Sequence, residues 1–308
     1  GSGARWQFVT LATAASLILT PASVAALNEM AITVDDLPTH GPLPAGMSRV
    51  QIARRMLQVF NQHRVPQVYG FAIGTQIHEN PDLLPILEEW RAAGYPIGNH
   101  TFSHPKLDRV TADEYVADIE ANETFLSQFS KNPSFKVFRY PYLAEGDTPE
   151  KRKAVRAWLA AHGYHIAQVT VDFDDWAWNG SYARCLAQGD LRAIARLKRS
   201  FVETALRRLK WSEEVTQFVL HRPIKHLLLL HVGAFDGVMV DDLLSAYENA
   251  GVTFIDPESA MRDDPYGLNP HITWEGGLTF PEQPARAKGV PLPPAPEVPF
   301  RQLELLCR

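Results

Sequence analysis

Two short segments hold residue types that could bind a metal ion and run acid–base chemistry. The first is Thr33-Val34-Asp35-Asp36, a pair of carboxylates closing an apolar run. The second is His100-Thr101-Phe102-Ser103-His104, two imidazoles four residues apart after another apolar run. Imidazole nitrogen and carboxylate oxygen are donors that zinc accepts at about 2.0–2.2 Å, and a catalytic zinc keeps one position open for water. Such an ion acidifies its water and polarises a carbonyl. Asp36, His100 and His104 would supply the protein donors. Asp35 would remain beside them as a free carboxylate, a candidate general base. Successive strand side chains face opposite ways. Asp35 therefore reaches the same cleft only if the backbone turns at the strand end.

These segments need elements to position them, and the apolar patterning supplies them. Runs of strand length occupy residues 30–34, 67–73, 95–98, 136–140, 166–171, 227–232 and 252–255. Between them lie stretches with helical spacing, such as Val50-Ala53-Met56-Leu57-Phe60 and Leu83-Leu84-Ile86-Leu87-Trp90. Gly94, Gly163 and Gly251 follow helical segments, where a helix C-terminus favours glycine. Repeated βα units of this kind imply a parallel sheet with outer helices. Seven of them favour a closed or nearly closed barrel over an open doubly wound sheet, and no glycine-rich phosphate loop follows the first strand. In such barrels chemistry gathers at the C-terminal ends of the strands. Arg139-Tyr140-Pro141-Tyr142 ends the fourth run, Asp172-Phe173-Asp174-Asp175-Trp176 the fifth, and His231 the sixth. Ionisable groups from five strand ends therefore converge on one rim.

The same five segments, in the same order, resemble the motifs of the polysaccharide deacetylases of carbohydrate esterase family 4, the NodB-homology domain. T-[FV]-D-D corresponds to Thr33 through Asp36, H-[ST]-x-x-H to His100 through His104, and R-x-P-[YF] to Arg139 through Tyr142. D-x-x-D-W corresponds to Asp172 through Trp176, and L-x-H to Leu229-Leu230-His231. The resemblance spans about residues 28–260 and implies a distorted (β/α)7 TIM-like barrel with parallel strands and hydrolysis of an acetyl group, usually N-acetyl, from a sugar. It implies Zn2+, or another divalent transition metal such as Co2+, on Asp36, His100 and His104, with Asp35 as base and His231 as acid. Arg139 would orient Asp35, and the Tyr142 backbone N–H would hold the oxyanion. Trp176 and Leu229 would wall the acetyl pocket. Asp172 and Asp175 divide between supporting His231 and holding Arg139, and the sequence does not say which does which. One departure stands out: Leu143 follows Tyr142 where many relatives have glycine.

Composition narrows the partners. Hydrophobic residues make up 45% and charged residues 21%, an ordinary globular balance. A net charge of −5 gives no electrostatic reason to bind nucleic acid. Residues 1–26 read as a signal peptide, with Arg5, an apolar stretch and a small-residue cleavage site before Asn28. The expected product is periplasmic or extracellular, has no stable membrane insertion after cleavage, and acts on an N-acetylated glycan. In that compartment Cys185 and Cys307 are candidates for a disulfide. Residues 27–263 form the barrel domain, and 264–308 a proline-rich tail packed on it or partly disordered, with Trp274 and Phe280 as anchors. The stretch 178–211 is a long insertion, read as a solvated helix pair whose basic residues, Arg208 among them, could instead cap the site or bind an anionic glycan. His40 is placed to line the cleft. Rival readings are an O-acetyl esterase or non-sugar amide hydrolase on the same scaffold, and a non-catalytic carbohydrate-binding protein.

Overall fold

Strands covered by helices must be apolar on both faces, and the apolar runs meet that demand. The computed structural model describes residues 28–129 and 136–308 and places a strand in every run. These are β1 (Asn28–Leu37), β2 (Val68–Ala72), β3 (Ile97–Asn99), β4 (Val137–Phe138), β5 (His165–Ile166), β6 (His226–His231) and β7 (Val252–Phe254). Around them run α1 (Arg49–Gln62), α2 (Gly74–Glu79), α3 (Leu84–Ala92), α4 (Ala112–Ser127), α5 (Pro149–Ala161) and α6 (Trp178–Gln188). They continue with α7 (Leu191–Leu220), α8 (Ala234–Asn249), α9 (Pro257–Met261), α10 (Glu282–Ala287) and α11 (Phe300–Leu305). Gly94, Gly163 and Gly251 all take positive φ where a helix ends. The signal peptide expected over residues 1–26 lies outside the described residues. Among the described residues no helix is long and apolar enough to cross a membrane.

The parallel sheet curls in the order β5-β4-β3-β2-β1-β6. Chain following β5 closes the ring, because Val171 bridges to Leu228 and accepts the Leu229 N–H at 3.0 Å. The seventh strand supplies the distortion. Met30 pairs with His226 on one side and Phe254 on the other, so β7 lies along the β2 edge of β1. The architecture is a distorted (β/α)7 barrel with parallel strands.

Side-chain alternation sorts β1 into two faces. Met30, Ile32 and Val34 pack outward into the main core with Ile52, Met56 and Leu243 of α1 and α8. Thr33 and Asp35 take the other face, where their register partners in β6 are Leu229 and His231. The parallel ladder thereby sets Asp35 and His231 side by side. Tyr69, Phe71, Val137 and Ala167 fill another part of the interior.

The proline-rich tail is ordered by specific contacts. Phe280 is fully buried and donates its N–H to Val169 O at 2.7 Å. Trp211 Nε1 donates to Pro293 O at 2.9 Å, while Trp274 stays partly exposed beneath Arg286. Cys185 and Cys307 are bonded, tying the chain end to α6. Ser181 and Arg184 reinforce that junction by donating to Leu303 O. Cross-linking across 122 residues restricts the unfolded chain. Reduction, or Cys307→Ser, should therefore lower unfolding free energy by about 2–4 kcal/mol in a urea titration.

His226 offers a pH test. It is buried at the start of β6 with Nδ1 3.0 Å from Thr170 Oγ1, and burial lowers its pKa to about 4. The unfolded chain takes up this proton near pH 6.5 and the folded chain does not. Stability from this group is thus present above about 6.5 and lost as pH falls toward 4. Relative to His226→Gln, the wild type should lose roughly 3 kcal/mol more across that window, measured by denaturant titration at each end.

Candidate active site

The turn that the two carboxylates require is present. Asp36 has φ 55°, and the β1–β2 register slips between Val34 and Leu37. Left-handed backbone at the strand end breaks the alternation and turns Asp36 into the cleft that Asp35 also faces. Thr101 and His104 likewise take positive φ, folding the loop after β3 so that both imidazoles reach Asp36. Asp36 Oδ1 lies 3.3 Å from His100 Nε2 and 3.1 Å from His104 Nε2.

These atoms fit a metal ion. Asp36 Oδ1 is buried and accepts no hydrogen bond, although two imidazole nitrogens stand within 3.3 Å. One donor atom each from Asp36, His100 and His104 lies within 4.8 Å of the others. His100 Nδ1 sits 2.7 Å from Arg139 O, a carbonyl that can only accept, so the ring proton is on Nδ1 and Nε2 offers its lone pair. Burial alone would push Asp36 up. The approach of His100, His104 and His40, with the charge of His231, instead holds it well below the usual carboxylate range. Asp36, His40 and His231 make a second such set. There His40 Nδ1 is 2.6 Å from Asp36 Oδ2, while His231 Nδ1 is turned away toward Asp175.

Arg139 is fully buried and organises the floor. Nη1 donates to Asp35 Oδ1 at 2.7 Å, Nη2 to Thr33 Oγ1 at 3.0 Å, and Nε to Ala167 O at 2.8 Å. The Phe71 ring lies against its guanidinium, 4.5 Å from the ring centroid. With Oδ1 so held, Asp35 Oδ2 is left facing the metal donors, 3.8 Å from His100 Nε2.

Across the cleft, Asp175 accepts from the His231 backbone N–H through Oδ2 and faces Nδ1 through Oδ1, both at 2.7 Å. Burial would lower the His231 pKa, but the carboxylates of Asp175, Asp36 and Asp35 raise it well above the ordinary value. The choice left open between Asp172 and Asp175 falls to Asp175. Asp172 does not pair with Arg139 either; its Oδ1 accepts the Asp174 N–H at 2.9 Å. Burial, then the charge of Asp174, pushes Asp172 up to about 7.

Residues 141–146 and the tail complete the cleft. Tyr142 and Leu143 have φ 59° and 53°, so the position where many relatives carry glycine is left-handed here with a leucine. Glu145 anchors this loop: Arg152 and Arg156 each approach it at 2.8 Å, and Gln168 and Gln283 donate to its Oε1. Gly277 lies against Tyr142 O so closely that any Cβ would overlap it. The resulting cleft, about 600 Å³, is lined by Asp35, Asp36, His100, His104 and His231, with Tyr142, Trp176 and Leu229 on its walls. A larger cavity of about 1100 Å³ between α5 and the tail contains none of these groups.

Sequence reasoning missed two contributors and left a third as one basic residue among several. Asp236 reads as a helix-capping acid at the start of α8, yet it is buried and hydrogen-bonds to Asp175. Burial and the Asp175 charge push it well above the usual range, so it stays protonated and donates. Gly277 and its tail neighbours lie about a hundred and thirty residues from Tyr142 in sequence, and only packing brings them together. Arg208 of α7, one of several basic residues in the insertion, also lines the cleft.

Fold and constellation together define the class, a parallel βα barrel with an Asp–His–His set able to hold a metal ion at its C-terminal rim. Residues 26–177 match the family described as polysaccharide deacetylase. Over 148 residues the chain is 29% identical to a peptidoglycan-N-acetylglucosamine deacetylase of Bacillus cereus, covering 48% of this chain and 46% of that protein. Over 125 residues it is 35% identical to a chitooligosaccharide deacetylase of a Bradyrhizobium species, covering 41% and 52%. The chain thus spans about half the length of these curated relatives. A crystal structure of a peptidoglycan N-acetylglucosamine deacetylase superposes with a TM-score of 0.51 at 21% identity, covering 76% of this chain and 88% of that one. That likeness speaks for the fold. The chain belongs to the polysaccharide deacetylase family.

The His231–Asp175 pair yields a spectroscopic expectation. Its raised pKa adds stability that is full below about pH 6.5 and fades as pH climbs through the folded value. Asp175→Asn removes the facing charge, so the His231 imidazole should titrate at lower pH in an NMR experiment. The variant's stability should also fall less steeply on the alkaline side. An unchanged titration would show that Asp175 does not set the charge of His231.

Proposed function

We propose that this chain is an exported, metal-dependent hydrolase that removes acetyl groups from an N-acetylated glycan. The observation that carries the reading is the orphaned, buried Asp36 Oδ1 between two imidazole nitrogens, with a held carboxylate and a carboxylate-backed imidazole in the same cleft. Asp36, His100 and His104 would hold the ion. A divalent ion there supplies Lewis-acid polarisation of an acyl carbonyl and of water.

The remaining work falls to the chain's own groups. Asp35 Oδ2, left free by the Arg139 contact at Oδ1, takes the proton of the attacking water. The Tyr142 backbone N–H, fixed in direction by its loop, donates to the oxyanion as charge develops. His231 holds a proton because Asp175 faces Nδ1, and it delivers that proton from Nε2 to the departing nitrogen. Trp176 and Leu229 shield the acetyl methyl group from water. Family membership and the two deacetylase relatives support an amide on N-acetylglucosamine-type sugars as the bond cut. The Cys185–Cys307 bond suits an oxidising, exported compartment.

Acetate release from chitin oligomers and peptidoglycan fragments, in zinc buffer and after chelation, tests the reading. Release that chelator abolishes is expected from at least one. Release only from acetyl esters would make the protein an esterase, and none from any substrate by folded, metal-loaded protein would sink the hydrolase reading. Asp35→Asn should keep its metal and lose about 10²–10⁴-fold in rate, the usual worth of a general base. His100→Ala should lose metal and turnover together, with metal content read by elemental analysis.

A further inference from the structure

We propose that Arg208 makes this cleft selective for a carboxylate-bearing glycan, reading an anionic substituent on a sugar bound beside the reacting acetyl group. This rests on the hydrolase reading above and names its substrate class. On α7 the inward stripe runs Phe201, Thr204, Ala205, Leu209, Ser212 and Val215, all buried. Arg208 falls on that stripe, four residues after Thr204 and four before Ser212, so helical geometry turns a cation toward the protein. The neighbouring basic residues Arg199 and Arg207 of α7 are exposed, and Arg184 of α6 is held by the Leu303 and Leu306 carbonyls.

An inward guanidinium normally meets a carboxylate. Arg139 has Asp35, and Arg152 has Glu145. Among the described residues Arg208 has no such partner within ion-pair distance, and its Nε is buried with nothing to donate to. Asp174 feels its charge through space without pairing with it. Glu282 of α10, a helix that packs against α7, lines the same cleft and is committed to Thr279 and Arg286. Arg208 is the one arginine or lysine lining the cleft among the described residues. A planar fork of donors suits a carboxylate far better than a hydroxyl, and a buried donor without a partner is what a bound ligand group would satisfy.

The test compares two tetrasaccharides. One is the neutral N-acetylglucosamine tetramer. The other is peptide-free peptidoglycan glycan, in which alternate sugars carry a lactyl carboxylate. The wild type should prefer the charged substrate in kcat/KM. Arg208→Gln should cut the charged-to-neutral ratio by about 10–100-fold, mostly through KM, the range expected for a charge-assisted hydrogen bond. Arg208→Lys should restore only part, because an ammonium lacks the fork. A ratio that moves less than about twofold in Arg208→Gln, with both substrates slowed alike, would make Arg208 a structural cation and overturn the proposal. Should Arg208→Gln not fold, wild-type salt dependence decides. Between about 20 and 300 mM salt, KM should rise for the charged tetramer only, and a parallel response of both overturns the proposal. If neither substrate releases acetate, the N-acetylglycan deacetylase reading fails by itself. Calorimetric binding of the two tetramers to wild type and Arg208→Gln then tests Arg208 separately, equal affinities refuting it.

Discussion

The site depends on burying one guanidinium. Arg139 has no contact with water, and an isolated buried charge would cost several kcal/mol. It is tolerated because every direction is answered. Asp35 accepts from one side, Thr33 and the Ala167 carbonyl from others, and the Phe71 ring closes the remaining face. Those partners come from β1, from β2 and from the segment that closes the barrel after β5. The Arg139 carbonyl also fixes the His100 ring. One residue thereby couples barrel closure, the orientation of Asp35 and the tautomer of His100. A barrel pulled open along β5 would disturb all three.

A second constraint follows from strand geometry. Strands deliver alternate residues to a face, whereas this site needs neighbours such as Asp35 and Asp36 together. The chain meets the conflict with left-handed backbone at Asp36, Thr101, His104, Tyr142, Leu143 and Asp174. Each such residue costs on the order of 1–2 kcal/mol. Surrounding contacts hold the strained loops. Glu145 clamps residues 141–146 to α5 through two arginines, and Gly277 of the tail closes over the Tyr142 carbonyl. The chain beyond the barrel therefore belongs to the functional unit.

Electrostatics separates the roles of the acids by their surroundings. Asp175 stays ionised against His231, while Asp236 behind it is pushed up by burial and keeps its proton. The resulting chain, Asp236 to Asp175 to His231, passes from protonated acid to carboxylate to imidazolium. Asp172, packed beside Asp174 with no counter-ion, is raised as well. Four acids crowd one corner of the cleft, and they share charge unequally because only one of them touches an imidazole.

Much of this was legible in the chain. Apolar runs bounded by glycine and polar clusters marked all seven strands, because burial of a parallel sheet demands continuous apolarity. The ionisable residues ending those runs marked the rim, because strand ends in a βα barrel share one face. Ligand types and spacing pointed to a metal at Asp36, His100 and His104. The sequence could not choose between Asp172 and Asp175, since three residues at a strand end point wherever the local turn sends them. Nor could it place β7 on the β2 edge, set Asp236 behind Asp175, or show that Gly277 and Arg208 reach the cleft. Those facts depend on contacts between segments far apart in the chain, and side-chain period says nothing about distant partners. Residue types and their period determined which groups could do chemistry; packing decided which of them meet, and which stay charged.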